Sequence, residues 1–278
     1  RRELSPDDIA GTLVIIPVVN RTGFENRIPT IVPEDGKNLN RVFPGKANGF
    51  ASEKLAWFMT SQLFSEIDFY VDLHCGGIFE DLDRYVYFVG ACDEKVSAYA
   101  RGAAEYCNVP YMVKSFSKTG CYTWAGCMGV PSLLLERGGR GRWSHEEVRE
   151  DKADVVNILK YVGMMDGEPQ KPEHTPFLLE APQYLEIEKS GFWYTDLKAG
   201  DRFNCGDELG YVTDYDGHVI ERVVAEHDGQ VLYLTKTLWA SKYTEVICCA
   251  KLCNGGECHE QDHHHHEHPG FEHIGTHH

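Results

Sequence analysis

Two stretches of the chain end an apolar run on a polar side chain followed by glycines. Residues 67–77 read Ile-Asp-Phe-Tyr-Val-Asp-Leu-His-Cys-Gly-Gly and deliver His74, two residues after Asp72, onto Gly76-Gly77. A near-continuous apolar run closed by glycine is the pattern of a strand covered on both faces. The carboxyl end of such a strand is where α/β folds place their chemistry. The other reading of His74 is a core histidine bonded to a backbone carbonyl. Residues 130–139, Val-Pro-Ser-Leu-Leu-Leu-Glu-Arg-Gly-Gly, repeat the placement with Glu136. A third group, Asn38-Leu39-Asn40-Arg41, sits inside a polar, turn-rich segment that follows Asn20. Long irregular loops within compact domains are commonly functional or disordered. One guanidinium beside two amides suits a carboxylate or amide ligand, because the fork can bind in bidentate fashion. A surface arginine among turn-forming asparagines is the alternative.

The elements that must hold these groups alternate between the two periodicities. Residues 12–19 are β-branched and predict a strand. Residues 52–64 have helical spacing, with Leu55, Phe58, Met59 and Leu63 on one face and Ser52 as a possible cap. Residues 84–90 predict a strand and 93–107 an amphipathic helix. The segment 120–129 is glycine-rich, and 144–162 predicts a helix with an acidic first turn. Breakers and polar residues make 163–176 a linker. From Phe177 onward short apolar runs alternate with glycine turns every 8–12 residues, which predicts a small barrel or sandwich. The expected division is 1–165, an α/β unit; 176–252, a small all-β domain; and 253–278, a tail. The tail holds 9 of the 14 histidines, with too few apolar residues to fold, so it is expected to be disordered and can bind divalent metal loosely.

The bulk numbers set limits. A net charge of −16 argues against nucleic acid or an anionic membrane as partner. No apolar run approaches the ~20 residues of a membrane span. Ten cysteines with no short-scaffold spacing predict reduced thiols and a cytoplasmic setting. The opening Arg1-Arg2-Glu3-Leu4 reads like the last turn of a helix, so more residues are expected upstream.

Taken together, Glu34-Asp35-Gly36-Lys37-Asn38-Leu39-Asn40-Arg41-Val42-Phe43-Pro44-Gly45, then Asp72-Leu73-His74 with Gly76-Gly77, then Glu136 with Gly138-Gly139, resemble the succinylglutamate desuccinylase/aspartoacylase family. The resemblance spans about residues 1–250. It implies a zinc-carboxypeptidase-like mixed sheet covered by helices, followed by a small all-β domain. It implies zinc as cofactor, with His74 a ligand, Asn40 and Arg41 holding a substrate carboxylate, and Glu136 as general base and acid. Zinc-activated water would then cleave the amide bond of a small N-acyl amino acid. The family's other two ligands come from a His-x-x-Glu pair ahead of the strand that matches 12–18. No such pair occurs in residues 1–73, so this chain is expected to be inactive alone. Thr30 stands where the family has a further arginine, which leaves the substrate's identity open. The rival readings are a degenerate carboxylate-binding protein, a metal buffer acting through the tail, and a cysteine hydrolase built on Cys75 with His145, His218 or His227.

Overall fold

The computed structural model describes residues 4–28 and 30–251. The tail from residue 252, and with it the expected metal-binding histidines, lies outside the described residues. The first part of the chain contains α1 (Arg21–Glu25), β1 (Ile31–Val32), β2 (Lys37–Asn38), α2 (Ala51–Phe58), β3 (Tyr70–His74), β4 (Glu80–Leu82), β5 (Tyr85–Val89), α3 (Glu94–Ala104), β6 (Tyr111–Ser115), α4 (Cys121–Cys127), β7 (Ser132–Glu136) and α5 (His145–Tyr161). The rest is β-rich: β8 (Phe177–Glu186), β9 (Gly191–Tyr194), β10 (Arg202–Phe203), β11 (Glu208–Thr213), β12 (Val219–Val224), β13 (Gly229–Thr235), β14 (Trp239–Ala240) and β15 (Glu245–Lys251).

The main sheet is mixed and runs in the order β10-β13-β15-β8-β6-β5-β7-β3, with β4 attached to β13. β3 and β7 are parallel in a register that sets His74 beside Glu136. Every residue of β5 is buried, as the apolar run requires of a strand covered on both faces. Val86, Phe88, Leu133 and Leu135 face a cluster that includes Ala100 and Ala103 of α3 and Ile158 of α5. Tyr85, Tyr87 and Leu134 face the other way, against Tyr122 of α4 and residues of β13 and β15. β8 pairs with β6 on one side and β15 on the other, so the sheet passes without a break from the α/β part into the β-rich part. There β9, β11, β12 and β14 form a second sheet, and Trp193, Leu209 and Val212 pack against Val231 and Ile247.

Three expectations change. Residues 12–19 form no strand, because no ladder partner reaches them among the described residues. Val14, Ile15, Ile16 and Val18 stay in solvent, Val14 at 54% and Ile15 at 46% exposure. Ser52 does not cap α2; Phe50 occupies the cap, with Glu53 accepting from its N–H at 2.8 Å. Ser52 instead donates its N–H (2.8 Å) and hydroxyl (2.7 Å) to Asp35. Burial works against that carboxylate, but the two Ser52 bonds and one from Lys37 prevail and lower its pKa. The segment 120–129 holds the short helix α4.

The loop of residues 38–45 lies directly on α2. Gly45 has φ of +82°, and a Cβ there would fall 2.2 Å from the Trp57 nitrogen. Only glycine permits that approach.

Candidate active site

The site forms where the carboxyl ends of β3 and β7 lie side by side. Asp72 and His74 are two apart on β3 and therefore share a face. The His74 side chain, 35% exposed, stands between two carboxylates: Asp72 Oδ2 is 3.6 Å from Nε2 and Glu136 Oε1 is 3.6 Å from Nδ1. Burial alone would lower the His74 pKa, but Asp72 and then Glu136 outweigh it and hold the imidazole well above its ordinary value. Such a group stabilises the fold fully below its unfolded pKa of about 6.5, and the contribution is lost as pH rises through the folded value. Urea midpoints of the metal-free chain should therefore fall from about pH 6.5 upward more steeply than those of His74→Gln. Parallel slopes would remove the two-carboxylate clamp.

Glu136 is the more confined carboxylate. Its Oε2 is buried and has no hydrogen-bond partner among the described residues, which leaves it available to a bound molecule. Its neighbour Arg137 points the opposite way into the protein, and the Arg137 N–H donates to His74 O at 3.3 Å, tying the two strand ends together.

Asn40 and Arg41 arrive on a 3-10 turn, Leu39–Arg41, started by the Asn38 side chain. Asn40 Oδ1 accepts the Cys121 N–H at 2.7 Å, at the start of α4. That leaves the amide NH2 as the group able to meet a ligand. Cys121 Sγ lies 3.0 Å from the Tyr70 hydroxyl on β3, so the loop reaches the His74 strand through a short polar chain. Burial raises the pKa values of Tyr184 and Glu245, both from the β-rich part, and the charge of the exposed Arg41 opposes the rise only in small part. His74 and Glu136 thus lie side by side, and Asn40 is joined to the His74 strand through Cys121 and Tyr70. Sequence reading missed Glu80, Tyr85, Tyr233 and Glu245. Glu80 accepts the Gly77 N–H at 2.5 Å, three residues past His74. Tyr233 donates its hydroxyl to Glu245.

Cys75 is exposed, and burial first, then the Glu136 charge, pushes its thiol up, away from a reactive thiolate. The eight described cysteines are free thiols.

A catalytic zinc takes three protein ligands. Among the described residues, the group that brings three ligand atoms within 4.8 Å of one another is Asp214, Asp216 and His218, in the β11–β12 turn. Asp214 there accepts from the Asp216 and His218 N–H groups, each at 2.9 Å, which is ordinary turn bonding. His74 supplies one imidazole with a carboxylate against each ring nitrogen. By itself this donor set does not fit a catalytic zinc. A cavity of about 560 Å3 adjoins the site behind Glu80, Gly138 and Gly139, and its walls are mostly charged.

A helix-covered mixed sheet with paired polar strand ends makes this an α/β protein, and three comparisons narrow the class. The fold superposes on a succinylglutamate desuccinylase/aspartoacylase from Rhodobacter sphaeroides with a TM-score of 0.81, covering 91% of this chain and 79% of that one at 24% identity. The product-bound ectoine utilization protein of Ruegeria pomeroyi gives the same TM-score at 27% identity, with 90% and 78% covered. The N-alpha-acetyl-L-2,4-diaminobutyric acid deacetylase of Halomonas elongata is 28% identical over 234 residues, 81% of this chain and 68% of that protein. Residues 1–162 match the profile described as the succinylglutamate desuccinylase/aspartoacylase catalytic domain. The chain belongs to that family.

Proposed function

We propose that the protein hydrolyses the amide bond of a small N-acyl amino acid. The observation that carries this reading is Glu136 Oε2, buried and unpaired beside His74. A carboxylate so placed can take a proton from attacking water and return it to the leaving nitrogen as the C–N bond breaks, giving a free acid and a free amine. Arg41 and the Asn40 NH2 are positioned to hold the α-carboxylate of the amino acid. Asp72 orients His74. Zinc dependence, which the family implies, assigns one ligand to His74; the others must come from outside the described residues. The free thiols support a reducing, cytoplasmic setting.

The test is release of free carboxylic acid from N-acetyl amino acids by the natural, metal-replete protein. Hydrolysis is expected, with Arg41→Ala raising KM about tenfold or more, the worth of a charge-assisted hydrogen bond. An unchanged KM would remove Arg41 from the site, and no hydrolysis of any N-acyl amino acid would overturn the reading. The incomplete donor set around His74 favours a second reading, a carboxylate-binding protein without turnover. Binding of amino acids by a protein that never cleaves the acylated forms would support it.

A further inference from the structure

Two buried polar atoms, Glu136 Oε2 on β7 and the Tyr85 hydroxyl on β5, have no hydrogen-bond partner of ordinary geometry among the described residues. The register of the sheet relates them. β5 runs antiparallel to β7 with Tyr85 directly opposite Glu136, and β3 runs parallel to β7 with His74 beside Glu136. Directly opposite residues project from the same face of a sheet. The packing agrees, since Tyr85, Tyr87 and Leu134 share one cluster, and Leu134 is two residues from Glu136 on the same strand. Tyr85, Glu136 and His74 therefore form one row across three neighbouring strands.

β7 is the middle strand of the three. Glu136 Oε1 is turned to His74 on the β3 flank, 3.6 Å from Nδ1. The other oxygen is left for the β5 flank, where the facing residue is Tyr85. The two orphaned groups are chemically complementary, because an ionised carboxylate only accepts and a phenol can donate. Burial, then the Glu136 charge, hold the Tyr85 pKa well above its ordinary value, so the hydroxyl keeps its proton. Neighbouring donors are turned elsewhere. Tyr87 meets the Tyr85 ring edge-on at 5.0 Å, but its hydroxyl lies 3.4 Å from that of Tyr184 and 3.9 Å from Cys248 Sγ. The Arg137 guanidinium is held by Asp151 and Asp154. Leaving two complementary buried groups unjoined is unfavourable for both, and a small side-chain rotation or one bridging water joins them.

We propose that Tyr85 is a positioning residue for Glu136: its hydroxyl donates to Oε2 and fixes the plane of the carboxylate. The proposal rests on the deacylase reading and adds a residue to it. One lone pair of Oε2 goes to the phenol, and the other stays open to the proton of the attacking water. Held at one oxygen, the carboxylate keeps the orientation in which it takes that proton and returns it to the leaving nitrogen.

The test is a double-mutant cycle, which isolates the interaction between two side chains. Its first form is urea unfolding of the full chain, which needs neither metal nor turnover. Tyr85→Phe keeps the ring and removes only the hydroxyl. It should lower the urea midpoint by about 0.5 M, the worth of one hydrogen bond to a charged group at the usual slope. In a Glu136→Met chain the phenol has no carboxylate to meet, and there Tyr85→Phe should leave the midpoint unchanged or raise it. Near-ultraviolet circular dichroism confirms that each variant is folded. The second form is kinetic, in the natural, metal-replete protein. Tyr85→Phe should lower kcat about tenfold with KM within about twofold, and should cause no further loss in Glu136→Gln. A tyrosine that only fills the core would lower the midpoint equally in both backgrounds. That result, or an unchanged kcat, overturns the proposal. If the protein hydrolyses no N-acyl amino acid, the deacylase reading falls, and the midpoint cycle still decides whether Tyr85 holds Glu136.

Discussion

Arg137→Ala should destabilise the fold by about 3–5 kcal/mol, the usual cost of removing one partner from a buried ion pair. The Arg137 side chain is 2% exposed, and Nη2 reaches Asp154 Oδ2, itself 1% exposed, at 2.8 Å. Nε lies 3.2 Å from Glu150, Nη1 meets Asp151, and Nη2 also donates to Asn108 O at 3.1 Å. Alanine leaves Asp154 charged and buried, with the Asn108 N–H as its remaining donor. The pH dependence has a definite sign. Burial raises the pKa values of Asp154 and Asp151 above the ordinary carboxylate value even with Arg137 present. Without the guanidinium they rise further, so the folded variant binds protons that the unfolded chain does not, and its stability recovers on acidification. The gap between the two proteins in urea midpoint should be largest near neutrality and narrow as pH falls towards about 4. A constant gap would mean that lost packing, not an orphaned charge, is responsible. Because Arg137 adjoins Glu136, the variant should also loosen the site.

Glu136→Gln should lower kcat of the natural, metal-replete protein by about 10^2–10^4-fold, the range for loss of a positioned general base and acid. Glutamine keeps the size of the side chain and one acceptor oxygen but cannot carry the proton. KM should move little, because Asn40 and Arg41 hold the ground state, and metal content should stay unchanged, because Glu136 is assigned no ligand role. Retained kcat sinks the assignment. A fall in metal content together with kcat would instead make Glu136 a ligand.

Much of the site was legible because strand ends announce themselves. His74 and Glu136 each close an apolar run on glycines, a pattern that a core histidine shares until a second strand repeats it. What the residues could not disclose was that β3 and β7 are neighbours in a register setting the two opposite each other, since pairing is decided by the whole sheet. Asn40 was legible as polar, but its anchoring of α4 depends on a backbone N–H 81 positions away. α4 itself, Cys-Tyr-Thr-Trp-Ala-Gly-Cys, has few strong helix formers and is held by burial instead. Glu245 carries no local signal, because its place near β4 and Glu80 follows from two successive strand pairings, β4 with β13 and β13 with β15. The reading of residues 12–19 failed for the complementary reason. Val14, Ile15 and Ile16 favour an extended backbone, but a strand also needs a partner, and favourable composition does not create one.

That unpaired run has a consequence for the molecule in solution. β3 ends the main sheet, so among the described residues one side of its backbone has no ladder partner, and Leu73 on it is 54% exposed. An open edge and an extended β-branched run are the two ingredients from which chains build intermolecular sheet. The net charge of −16 opposes that encounter by keeping copies of the chain apart. Colloidal stability in this chain is thus tied to ionic strength. In dilute salt like charge guards the edge, and at about 1 M, where the screening length shrinks to ~3 Å, the guard is withdrawn.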